Sequence, residues 1–243
     1  MLKNMFSNIP DVTKNLLIIN VLFFLATILL QQQGVHLSRH LGMYYPSSQF
    51  FAPYQIVTHF FMHSSFSHLL FNMIGLVVIG SHLERYWGKK RFFIFYFVTA
   101  LGAAFLYLLV HAIELYYQTG AFFPEIFVEN VHSVGNGMIQ WTSSFRPIAA
   151  SNHYVVPTVG ASGAIYGLLA AFALLFPNTE FQLLFPPVKI KAKWIALILM
   201  GLALYQGYEN NPDDSVAHFA HLGGMLFGFI MIRLWRKDRN NFY

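Results

Sequence analysis

Three groups of residues in this chain are of types, and at spacings, that suit chemistry. The first is Gly160-Ala161-Ser162-Gly163, at the start of an apolar run. A serine there has its hydroxyl beside backbone N–H groups that lack a helical partner, and a helix N-terminus favours developing negative charge. The same four residues also read as a helix cap followed by a small-residue packing seam, Gly163 to Gly167. The second group is His218 and His221, opening another apolar run that continues into Gly224 and Gly228. A neutral imidazole brought against Ser162 would take its proton. The two histidines are three residues apart and share a helix face only approximately, so spacing leaves either as the base. A membrane histidine also serves as interhelical hydrogen-bonding glue. The third group is His59, His63, His68 and Asn72. His68 and Asn72 are four apart, and both can donate into a cavity, as an acyl-transfer oxyanion requires. They too can act as packing glue, and His59 with His63 could instead begin a metal site. There is no H-E-x-x-H, and no acidic residue nearby completes a zinc site.

Composition says which elements must hold these groups. Apolar residues are 56% of the 243 and charged residues only 10%, where about 25% is usual. Too little polar surface remains to cover a soluble core. Six apolar runs approach the roughly 20 residues that span a bilayer as helix. They cover about 15–30, 66–82, 92–117, 160–176, 194–208 and 216–235. The first is followed by Gln31, Gln32 and Gln33 rather than a small-residue cleavage site, so it is expected to be retained. The fourth, at about 17 residues, is short for a hydrocarbon core of about 30 Å. The deficit places Ser162 below the outer membrane surface.

Lys and Arg set the orientation. With a cytoplasmic N-terminus and alternating spans, thirteen of the fifteen fall inside, and only Arg39 and Arg146 fall outside. This is the positive-inside pattern. It accounts for a net charge of +5 and a pI near 9.4 without nucleic acid. The chain has no cysteine, which excludes disulfides and thiolate chemistry. The outer segment Gln118 to Pro157, rich in Gly, Ser, Asn and Pro, is expected to be irregular or to form a short interfacial helix. No acidic residue lies mid-helix to orient the base, so a Ser–His dyad is expected. Tyr166, four residues after Ser162, lies on its face and can pack on the imidazole.

These motifs resemble the rhomboid family of intramembrane serine proteases. The likeness rests on H-S-S-F-S-H-L-L-F-N (His63 to Asn72), G-A-S-G (Gly160 to Gly163) with Tyr166, and A-H-F-A-H-L-G-G-M-L-F-G (Ala217 to Gly228). It is joined by E-R-Y-W-G-K-K-R (Glu84 to Arg91), and it covers about Thr58 to Trp235. It implies an all-α, six-transmembrane-helix bundle forming a single membrane domain over 1–243, with cytoplasmic tails 1–14 and 236–243. It also implies Ser162 as nucleophile and His218, in the Ala-His pair, as base rather than His221. His68, Asn72 and the Ser162 N–H would form the oxyanion hole. Tyr166 would support the histidine, and Gly160 and Gly163 would shape the nucleophile turn. Substrates would be transmembrane proteins cut near the outer face, with Glu209 to Ser215 as a cap. No metal or cofactor and no nucleic-acid partner is expected, and a bacterial inner membrane is the expected location. In the first outer loop Tyr54-Gln55 stand where many members carry Trp-Arg; this departure bears on loop anchoring, not on the chemistry. The rivals are a non-catalytic rhomboid-like protein that binds membrane clients and a small transporter, against which the lack of an internal repeat argues.

Overall fold

A computed structural model describes residues 8–124, 128–133, 139–143, 155–182, 187–209 and 217–239. Helix α1, Asp11–Gln31, starts directly after Pro10. Two short helices follow, α2 (Leu37–Leu41) and α3 (Gln55–Thr58), the second running into a 3₁₀ turn, His59–Phe61. Helix α4 spans Phe66–Trp87 and contains a π-type stretch, Leu76–Gly80. Its first turn is capped by Ser65, whose Oγ accepts from the His68 N–H. Gly88, at φ +80°, separates α4 from α5, Lys89–Thr119. Gly120, left-handed at φ +75°, closes α5 by donating to the Tyr116 carbonyl.

Strands β1 (Val128–Ser133) and β2 (Ile139–Ser143) pair antiparallel. The expectation of irregular chain or a short helix over 118–157 therefore needs correction, since part of it is a hairpin. Helix α6 is Ser162–Leu175. A second antiparallel hairpin, β3 (Glu180–Gln182) with β4 (Lys189–Lys191), leads to α7 (Ala192–Glu209). Helix α8, His218–Arg239, ends the described chain. The expected cap, Glu209 to Ser215, lies outside the described residues after Glu209.

Among the described residues, α1, α4 and α5 are the helices long and apolar enough to cross a membrane, while α6 is apolar but only 14 residues long. Their outward faces carry large apolar side chains, with Phe71 72% exposed. A bilayer is the solvent that such faces require.

The helices approach closely where glycine replaces a side chain. Gly163 and Gly167 of α6 face Gly224 and Gly228 of α8. A methyl group on Gly228 would stand 2.7 Å from the Gly167 carbonyl oxygen, and one on Gly167 would stand 2.6 Å from Thr99 Cβ of α5. Without a hydrophobic drive between helices in lipid, such backbone contact is a main source of association. Near the end of α4 the Glu84 carboxylate accepts from Val12 N–H (3.0 Å), Thr13 N–H (2.7 Å) and Thr13 Oγ1 (2.8 Å). It caps α1, which has no cap from its own Pro10.

Candidate active site

The turn that leads into Ser162 is built by a glycine that no other residue easily replaces. Gly160 has φ +128°, and a Cβ there would lie 2.8 Å from His68 Nε2 and 3.7 Å from Ser162 Oγ. Its N–H donates to the His59 carbonyl at 2.9 Å. Ala161 then turns into helical geometry and α6 begins at Ser162. The expected start within 160–163 is thus observed. At 14 residues, or about 21 Å, the helix is shorter still than the expected 17.

Ser162 Oγ lies 2.8 Å from Nε2 of His221. It is the ring of His221 that meets the serine, whereas the family resemblance implies His218 as the base. His218 is buried and stands edge-on to His221, with ring centroids 6.2 Å apart at 85°. The physical reason is helical phase. Glycines Gly224 and Gly228 define the face of α8 that lies against α6, and Ser162 directly precedes Gly163 on that seam. His221 is one turn before Gly224, whereas His218 is six residues before it, about 120° around the helix. The spacing of the glycines carries this signal; alanine precedes both histidines, so the Ala-His pair does not distinguish them.

Tyr166 stacks on His221, with centroids 4.1 Å apart and planes at 5°. This fixes the imidazole plane with Nε2 toward the serine. For Ser162 to donate, Nε2 must be bare and the proton must sit on Nδ1.

His68 brings Nε2 against the turn at Gly160 while its Nδ1 is hydrogen-bonded to Ser64 Oγ at 3.1 Å. Asn72 is buried, and its Nδ2 donates to the His68 carbonyl at 3.0 Å. The structure thus joins Ser162, His221, Tyr166, Gly160 and His68 at one place. Asn72 is tied to His68, one turn deeper in α4. Gly163 sits on the α5–α6–α8 seam, where Ala103 closes the space a side chain would need. His63 stacks edge-on against His68 at 5.0 Å. Burial holds both His59 and His63 well below the ordinary imidazole range, at about 4. Among the described residues, no group of three His, Cys, Asp or Glu could hold a metal ion.

Sequence reasoning missed two contributors. One is the His59 carbonyl, which no pattern of residue types reveals. The other is Gln55, whose side chain is wholly buried and hydrogen-bonded within the loop between α1 and α4.

The family model for the rhomboid domain matches residues 51–237. The chain belongs to the rhomboid family. It is 28% identical over 180 residues to rhomboid protease AarA of Providencia stuartii, covering 70% of this chain and 51% of that one. It is 28% identical over 176 residues to the mitochondrial rhomboid protein 1 of Saccharomyces cerevisiae, covering 70% and 38%. It is 26% identical over 187 residues to the mitochondrial RHOMBOID-like protein 12 of Arabidopsis thaliana, covering 77% and 48%. This rhomboid spans about half the length of such relatives or less. Family membership and the apolar helices make it an integral membrane protein.

Proposed function

We propose that this chain is an intramembrane serine endopeptidase that cleaves transmembrane protein substrates through a Ser162–His221 dyad. The observation that carries this reading is the 2.8 Å contact between Ser162 Oγ and His221 Nε2, with Tyr166 flat against the imidazole. A serine and a histidine from separate helices, both at the close-packed seam of a membrane bundle, would need another reason to meet.

In the proposed reaction His221 Nε2 takes the Ser162 proton as Oγ attacks the scissile carbonyl. The tetrahedral oxyanion is held by the Ser162 N–H and the His68 side chain, with the Asn72 amide adjacent. One such donor contributes roughly 100- to 1,000-fold in rate. His221 then protonates the leaving amine, and water attacks the acyl-enzyme with the same histidine as base. The residues alone supply this chemistry; no step calls for a metal or cofactor.

The proposed setting is a six-span bundle of α1, α4, α5, α6, α7 and α8 with both termini cytoplasmic. The distribution of Lys and Arg supports that orientation. A short α6 reaching the inner face would leave Ser162 sunken, beneath the outer surface. A bacterial inner membrane is the proposed location.

The test is labelling by a serine-reactive phosphonate probe in detergent, paired with cleavage of a single-span model substrate. The wild type is expected to label and cleave, and Ser162→Ala to do neither while still folding. Undiminished cleavage by Ser162→Ala would reject the nucleophile. A folded wild type that neither labels nor cleaves would favour a non-catalytic client-binding protein.

A further inference from the structure

The segment 158–160 that delivers Ser162 is held from outside by two separate arms, and both originate at Gln55. This residue is 1% exposed, and its amide forms four hydrogen bonds, the full number an amide makes. Nε2 donates to the carbonyls of His40 (3.1 Å) and Phe50 (3.0 Å). Oε1 accepts from Ala52 N–H (3.1 Å) and, at the long limit of 3.5 Å, from Tyr44 N–H.

The first arm runs through the side chain. Tyr44 follows Met43, whose N–H and carbonyl pair with Thr158 at 2.9 and 2.8 Å. The second arm runs through the backbone. The Gln55 carbonyl accepts from His59 Nδ1 at 2.6 Å, and the His59 carbonyl accepts from Gly160 N–H at 2.9 Å. That contact also fixes the His59 tautomer, because a carbonyl can only accept. The two arms grip the chain two residues apart, immediately before the turn whose φ of +128° sets where Ser162 Oγ stands.

We propose that Gln55 is a positioning residue for the nucleophile: it holds the outer loop as a rigid brace against Thr158 and Gly160, and so sets the Ser162–His221 contact from a distance. The inference rests on the dyad reading only for its consequence in rate. The brace itself is a matter of backbone geometry. Gln55 touches neither Ser162 nor His221, so its loss leaves the reacting groups intact and disturbs their registration. A misplacement of about 1 Å at a reacting atom costs on the order of 100-fold in rate.

Gln55→Met keeps the length of the side chain and removes all four amide hydrogen bonds. It is compared with wild type and with Thr58→Val, which loses a loop bond to the Leu41 carbonyl outside both arms. Two readouts are taken on folded, detergent-purified protein. Hydrogen exchange by mass spectrometry over 158–162 reports the brace, and the rate of phosphonate labelling at Ser162 reports its consequence. Gln55→Met is expected to exchange faster over 158–162 and to label about 10- to 100-fold more slowly, with kcat for a membrane substrate reduced more than KM is raised. Thr58→Val is expected to match wild type in both. Should Gln55→Met fail to fold, Gln55→Asn, shorter by one methylene, carries the test with smaller changes in the same direction. Wild-type exchange over 158–162 in a Gln55 variant, whatever its melting temperature, would overturn the proposal. A wild type that does not label would instead strike the dyad reading and leave the exchange result to decide the brace.

Discussion

His221 and Tyr166 lie face to face across the α6–α8 seam, with ring centroids 4.1 Å apart and planes within 5°. Tyr166 is one turn after Ser162 on α6, so a single helix face presents both the hydroxyl and the surface that orients its partner. His218 stands edge-on to His221, with ring centroids 6.2 Å apart.

The two histidines should therefore separate by activity. His221→Ala is expected to lower kcat/KM for a membrane substrate by at least about 1,000-fold, in the range seen when a serine hydrolase loses its base. His218→Ala is expected to stay within about tenfold of wild type. Steady-state kinetics on the two purified variants decides it, and the opposite ranking would return the role of base to His218.

The glycine seam should tolerate no side chain. Gly228→Ala places a methyl 2.7 Å from the Gly167 carbonyl, which forces α6 and α8 apart. A loss of about 1–3 kcal/mol is expected, read as a lower melting temperature in detergent, and activity should fall with it. Gly201→Ala on α7 is the control, because nothing lies within 4 Å of the added carbon. Equal melting temperatures for the two variants would show that the seam is not close-packed.

Glu84 should matter to stability rather than to chemistry. It is 2% exposed and accepts from three donors at the start of α1. Glu84→Ala strands those donors, at a cost of about 1–3 kcal/mol. A lowered melting temperature with near-normal kcat in the surviving folded protein is expected. A stable variant with a collapsed kcat would contradict the capping role.

Stability should also fall in mild acid. His59 and His63 are held neutral by burial, near 4, while an unfolded chain titrates near 6.5. Between those values the unfolded state binds more protons than the native one, so stability declines as pH drops from about 6.5 toward 4. Unfolding measured across this window should show the slope, and His63→Phe should flatten it. A melting temperature that does not change with pH between 4 and 6.5 would contradict this.

Much of this molecule was legible in one dimension. Low charge and runs of apolar residues demanded a bilayer. The run opening at 160–163 announced a helix, and it starts at Ser162. The helices outran the apolar windows, as where Lys89–Arg91 belong to α5, because a charged side chain at a helix end can stay in the interface while its backbone is helical. What composition could not decide was rotation about a helix axis. Choosing His221 over His218 depends on which face of α8 lies against α6, and that is set by backbone contact among Gly163, Gly167, Gly224 and Gly228. Neither could the sequence show Gln55 as a brace, since its partners are carbonyls and N–H groups that every residue carries. Residue types and their spacing determined the solvent, the helices and the reactive groups. Only packing determined which of those groups meet, because a hydrogen bond depends on distances of a few tenths of an ångström that no order of residues encodes alone.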